Sequence, residues 1–239
     1  MGEVLVKEKE IVIPGQVLVK GMDAFPGSGS YRDKEEIYSS RLGIVYLDGR
    51  AIKVVPVSGV YMPKIGDMVI GRVFDITMNG WRIELNCTYP SMMSLKDATS
   101  DYIQKGADLT QYYNIGDYVV CKITNVTSQK LVDVSMREPG LKKLSGGRIF
   151  KVSPSKVPRI IGKKGSMISM IKLSTGCRIV VGQNGLAWIS GDLENEFIAL
   201  QAIKKIEDQS HCSGLTNSIK EFLEEKTGKK IEGVEQNEL

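Results

Sequence analysis

Residues 160–181 read I-I-G-K-K-G-S-M-I-S-M-I-K-L-S-T-G-C-R-I-V-V. The four-residue loop Gly162-Lys163-Lys164-Gly165 separates a short apolar turn from a helix that begins at Ser166. Glycine lets a backbone approach a partner without a Cβ in the way. A helix start offers unpaired N–H groups and the positive end of a dipole, and the two lysines add full charges. Such a loop suits a phosphate backbone; solvated loop charges are the plain alternative for Lys163 and Lys164. A turn at Thr175-Gly176 follows, then strands Cys177–Val181 and Leu186–Ile189 and a long helix from Leu193 to Ile206. In that helix Ala199, Ala202, Ile203 and Ile206 fall at the spacing of a core stripe.

Composition narrows the class. The chain has 239 residues, long enough for two or three small domains. It is 42% hydrophobic and 25% charged, as in ordinary globular proteins. No run reaches the roughly eighteen apolar residues of a membrane span, and Met1-Gly2-Glu3-Val4 has no signal-peptide shape, so a cytoplasmic protein without a membrane partner is expected. Cys87, Cys121, Cys177 and Cys212 are scattered without a CxxC pair, and His211 stands alone; metal or cofactor chemistry and a catalytic site are not expected. Cys121 and Cys177 read as small buried hydrophobes. The net charge of +4 is uneven: residues 147–211 hold ten basic and five acidic side chains, whereas residues 1–60 hold eight of each. A basic surplus on one module points to a polyanion.

Residues 1–63 carry short β-branched runs, such as Gly43–Leu47 and Ala51–Val57, punctuated by Pro14-Gly15, Pro26–Ser30 and Asp48-Gly49-Arg50. A small β-barrel or sandwich is expected. Residues 64–137 contain a near-repeat, Lys64–Val73 and Asn114–Ile123, each with I-G-D leading into a strand. With Asn79–Leu85 and the hairpin Asn125–Ser135 this gives a five-stranded OB barrel. Trp81, Ile83 and Leu85 alternate onto one face, which reads as core rather than as a base-stacking surface. Glu138-Pro139-Gly140 ends the barrel, Ser145-Gly146-Gly147 is a short linker, and residues 212–239 hold a helix from Asn217 to Thr227, stopped by Gly228, and an unstructured tail from Gly233. The fold class is thus multidomain: β, β barrel, then α/β with a C-terminal helix.

The frame around the Gly162–Gly165 loop resembles a KH domain, which clamps about four nucleotides of single-stranded RNA. That resemblance covers residues 147–211 and implies RNA contacts by Arg159, Ile160, Gly162, Lys163, Lys164 and Gly165. The barrel resembles the S-one RNA-binding domain. That pattern carries aromatics where this chain has Asn79 and Arg82, so the likeness implies backbone tracking through Arg82 and Lys130, with Arg72 and Phe74 as neighbours. The segment Gly27-Ser28-Gly29-Ser30-Tyr31, followed by Ile37-Tyr38-Ser39-Ser40-Arg41-Leu42-Gly43, is similar to a signature of the RNA-binding cap subunit of the archaeal exosome. This family shares the order N-terminal β domain, S-one domain, KH domain. It implies a non-catalytic subunit, three to a hexameric phosphorolytic RNase ring, that recruits A-rich RNA tails. Docking would run through Gly27, Gly29, Tyr31, Tyr38 and Ser39. A free-standing RNA-binding protein of translation or ribosome maturation uses the same modules. Polynucleotide phosphorylase does too, but in the reverse order and with catalytic domains for which there is no room.

Overall fold

The computed structural model describes residues 3–104, 106–210 and 214–228, so His211, Cys212 and the tail beyond Gly228 lie outside it. It forms two compact units, residues 1–59 and 60–239.

The first unit is a sandwich of two four-stranded sheets. One runs in the order β1 (Glu3–Val4), β3 (Val17–Lys20), β6 (Glu36–Ser39), β5 (Ser30–Asp33). The other runs β2 (Ile11–Val12), β7 (Gly43–Asp48), β8 (Ala51–Pro56), β4 (Phe25–Pro26). Alternation drives the burial: on β8, Ile52 and Val54 point inward while Lys53 and Val55 are exposed. Val6, Val12, Leu18, Val19, Ile37 and Val45 complete the core.

The second unit begins with the barrel. Strands β9 (Met68–Thr77), β10 (Gly80–Glu84), β11 (Ser91–Ser94), β12 (Tyr118–Val126) and β13 (Val132–Ser135) close on themselves through β9–β12, β12–β13 and a parallel β11–β13 pairing. The near-repeat has a structural cause. The Gly66 amide donates to the Ile123 carbonyl (2.8 Å) and the Ile123 amide to the Asp67 carbonyl (2.9 Å). The same pair recurs with Gly116 to Val73 (2.8 Å) and Val73 to Asp117 (2.9 Å), so each I-G-D turn pins the far end of the other strand. Trp81 is fully buried, its indole N–H donates to the Tyr113 carbonyl (2.9 Å), and the Tyr113 ring meets it edge-on, which places this side chain in the core.

The expected end of the barrel is corrected. A further strand, β14 (Lys143–Leu144), adds to β12, and the Lys143 ammonium lies 2.5 Å from the Asp117 carboxylate. Lys143 and Leu144 thus extend the sheet past residue 137, and Leu144 is buried in a second core described below.

The last module has a three-stranded sheet ordered β15 (Arg148–Lys151), β17 (Leu186–Ser190), β16 (Arg178–Val181). Four helices accompany it: α2 (Val157–Ile161), α3 (Ser166–Thr175), α4 (Leu193–Asp208) and α5 (Leu215–Thr227), with α1 being the short turn Leu95–Ala98 in the barrel. Ala199, Ala202, Ile203 and Ile206 are all fully buried, as their spacing requires. Gly228 caps α5 in the left-handed region. Cys177 is buried, and burial pushes the Cys121 thiol up to about 12, so it stays protonated as core material. Among the described residues no helix is long and apolar enough to cross a membrane.

Candidate nucleic-acid interface

The Gly162–Gly165 loop is built by conflict between backbone and side chains. Gly162 has φ +77°, and a Cβ there would lie 2.7 Å from the Met167 Cβ, so the loop can press against the start of α3 only without a side chain. Lys164 is itself left-handed (φ 52°). Lys163 and Lys164 are exposed, with no carboxylate against either among the described residues. Below them Val157, Ile160, Met167 and Ile171 pack the loop and both helices onto the core. Ile160 is a correction: its side chain is fully buried and packs beneath the loop. Gly165 faces open space and Arg159 is exposed but already engaged.

The barrel face is different. A bulge between Arg82 and Ile83 in the β9–β10 register leaves Phe74 unopposed, half-exposed beside Asp75. Cross-strand neighbours then form an outward row, Asp75, Arg82, Met92 and Asp133, over four strands. Arg82 lies 3.5 Å from Asp75, and Arg72 donates to Glu84 at 2.8 Å. Exposed pairs of this kind contribute little stability, but each carboxylate competes with an incoming phosphate. Each arginine of the expected track thus has a carboxylate beside it. Lys130, left-handed in the β12–β13 turn, is exposed and has no carboxylate against it among the described residues.

The docking residues expected in the N-terminal unit divide the same way. Gly27 and Gly29 lie against the β8 backbone, where a Cβ at Gly27 would come within 2.8 Å of the Ile52 carbonyl and one at Gly29 would overlap that of Val54. Ser39 is fully buried and its hydroxyl donates to the Arg41 carbonyl (2.6 Å). These three hold the sandwich together and present no side chain to a partner. Tyr31 and Tyr38 stack with ring centroids 5.7 Å apart, Tyr31 being exposed, and the Tyr38 hydroxyl donates to Glu36 (2.6 Å). That hydrogen bond raises the Tyr38 phenol above its ordinary value and lowers the Glu36 carboxyl.

One residue escaped the sequence reading altogether. Asn184, in the β16–β17 turn Gly182-Gln183-Asn184-Gly185, is fully buried against the barrel. Its amide accepts from the Ile70 N–H (3.3 Å) and donates to the Ile70 (2.7 Å) and Leu85 (2.8 Å) carbonyls. Asn86 returns a bond to the Asn184 carbonyl (3.2 Å), and the Gln183 amide donates to Met68 (2.9 Å). Around this clasp Ile70, Val120, Leu144, Leu186 and Trp188 form a second core shared by barrel and α/β module. The signal was present in unalternating runs: Met68-Val69-Ile70, Val119-Val120-Cys121 and Leu186-Ala187-Trp188-Ile189 are apolar on both faces, as strands buried on both sides must be.

Comparison with known proteins fits this geometry. Residues 147–195 match the KH domain family, and residues 60–105 the family described as RRP4, S1 domain. The exosome complex component Rrp4 of Methanothermus fervidus is 41% identical over 91% of this chain and 96% of its own length. That of Thermococcus kodakarensis is 39% identical over 93% and 88%. A solved structure of an exosome complex RNA-binding protein, 31% identical, superposes with a TM-score of 0.63 over 70% of this chain and 97% of its own. With likeness of this degree running through both the barrel and the helical module, the chain belongs to the Rrp4 family of exosome complex components.

Proposed function

We propose that this chain is a non-catalytic RNA-binding cap subunit of an exosome. It recruits single-stranded RNA and guides the 3′ end into a phosphorolytic RNase ring, which would carry three such caps. The reading is supported by family membership, and the observation that carries it is the pair Lys163 and Lys164, exposed and without an ion-pair partner among the described residues, on a glycine-framed loop at the start of a ten-residue helix. Two full charges and a helix dipole at one point hold phosphate without reading a base. The N-terminal sandwich, charge-balanced and bearing the exposed Tyr31, is the ring-docking unit in this reading. The subunit is proposed to do no chemistry of its own.

The test is reconstitution. The full chain should bind single-stranded RNA and comigrate with the nuclease ring in native mass measurement. A chain lacking residues 1–59 should bind RNA but no longer join the ring. A full chain that binds RNA yet never meets the ring would make it a free-standing RNA-binding protein.

A further inference from the structure

We propose that the open edge of β15, with an apolar groove beside it, pairs with the same edge of a second copy of this chain, so that two three-stranded sheets join into one. The proposal stands apart from the RNA-binding reading, since no residue of the Gly162–Gly165 loop lines the groove. Among the described residues β17 is the only strand beside β15. Which backbone groups face the open side follows from the alternation of an antiparallel ladder. The Val152 amide donates to the carbonyl of Gly185, its register partner (2.8 Å), so Phe150 and Arg148, at even spacing from it, also bond toward β17. The far side of β17 agrees. The Gly182 amide donates to Leu186 (2.8 Å), which turns Leu186, Trp188 and Ser190 toward β16 and leaves Ala187 and Ile189 for β15. Ile149 and Lys151 therefore present their N–H and C=O groups to the open edge, a template for another strand.

The groove, of about 550 Å³, lies between this edge and α4, with Phe150 and Ile189 on the sheet side and Leu193, Phe197 and Leu200 on the helix side. Leu193 and Phe197 are 66% and 59% exposed, one helical turn apart, and Arg148 at the rim is already paired with Glu196 (3.4 Å). An apolar trough beside an unpaired edge takes an added strand. The register argues that the strand is β15 itself. Two-fold antiparallel pairing through the outward groups can centre on Ile149, Phe150 or Lys151. Centring on Lys151 sets two ammonium groups face to face, which is repulsive. Centring on Ile149 brings Lys151 against Gly147, which lies outside the strand with φ +69°. Centring on Phe150 uses both outward residues, Ile149 of each copy bonding Lys151 of the other. It also lays the two Phe150 rings opposite each other on the helix side, with Leu193 and Phe197 of each α4 beside them, and no like charges meet. Such pairing consumes both edges and closes at two copies.

The experiment is sedimentation equilibrium of the full chain, without RNA, from micromolar to millimolar concentration. The wild-type mass should rise from one chain to two, as a small interface that dissociates on dilution gives. Phe197→Glu should weaken the dimer by about tenfold or more, the scale of one central interface side chain. Lys151→Pro should do the same, because proline removes an N–H that only the second copy uses and is tolerated where that N–H faces outward on an edge strand. Lys151→Ala keeps the N–H and should dimerise at least as well as wild type. Phe197 is exposed, so its variant should melt as the wild type does; if Lys151→Pro melts early, Phe197→Glu alone decides. A wild-type chain that stays monomeric throughout, leaving the groove to some other protein or to none, overturns the proposal. So does a dimer that Phe197→Glu, or a Lys151→Pro chain of normal melting temperature, leaves intact. Either result leaves the RNA-binding reading untouched.

Discussion

The Gly162–Gly165 loop and the outer face of the barrel each hold two cations, in opposite states. On the loop, Lys163 and Lys164 are exposed on a glycine-framed turn at the start of a helix, with no carboxylate paired to either among the described residues. On the barrel, Arg72 and Arg82 sit on strands whose register sets Glu84 and Asp75 beside them. A count of basic residues treats the two as equal. Their availability for phosphate is set by what the backbone puts opposite each charge.

The strongest challenge to that contrast is charge reversal on the loop. Lys163→Asp with Lys164→Asp in the full chain should weaken single-stranded RNA binding by about tenfold or more. It should also flatten the salt dependence by ~1.4 log–log units, at ~0.7 for each of two phosphate contacts. Similar losses for different RNA sequences would mark the contact as phosphate-directed; an unchanged slope would mean that the lysines are only solvated.

A second challenge separates the two regions mechanically. Asn184→Ala removes three hydrogen bonds and orphans buried backbone groups of Ile70 and Leu85. The expected cost is about 3 kcal/mol. It should appear in urea unfolding followed by tryptophan fluorescence, since Trp188 lies in the shared core and Trp81 inside the barrel. A single transition with an unshifted midpoint would show that the clasp is not needed.

The barrel's own charges should respond to pH. Burial pushes the Asp117 carboxyl up, but hydrogen bonds from Lys143 and the Asn114 amide, with the lysine's charge, outweigh it and hold the group below its ordinary value of 3.8. A carboxyl lowered in the folded state stabilises above its unfolded pKa, and that contribution is lost as pH falls through the folded one. Asp117→Asn should therefore lower the melting temperature near neutrality by a few degrees, for a loss of about 1 kcal/mol, and bring it closer to wild type below pH 4. Parallel melting curves at every pH would exclude the linkage.

The smallest effect belongs to the arginines. Arg82→Glu or Arg72→Ala should change RNA affinity of the isolated chain less than about threefold, because neither removes an uncommitted charge. A tenfold loss would restore the arginine track and erase the contrast with the loop.

Much of the architecture was legible because it is written in local periodicity. The helix from Ser166, the stripe Ala199–Ile206 and the strands around Trp81 follow from spacing alone, and the structure keeps them. The I-G-D repeat was visible as well, though not its use as a pair of reciprocal clasps. Lys163 and Lys164 could be singled out because a loop between glycines has few ways to hide a charge. Ile160, Ser39, Gly27 and Gly29 could not be placed, since a position beside a functional loop looks the same whether it faces out or in. The fate of Arg72 and Arg82 depended on a bulge that no spacing rule discloses. Asn184 looked like an ordinary turn residue, because its partners lie about a hundred positions away in the chain.

The Asn184 clasp also makes the molecule a ruler. With barrel and α/β module fastened through one core, the spacing between the lysine loop and any contact on the barrel is fixed by the fold. A short oligonucleotide can then occupy one place or the other but not both. Once a strand is long enough to bridge them, the second contact forms at high effective concentration. Affinity plotted against RNA length should therefore rise in a step, and loosening Asn184 should blur the step into a slope.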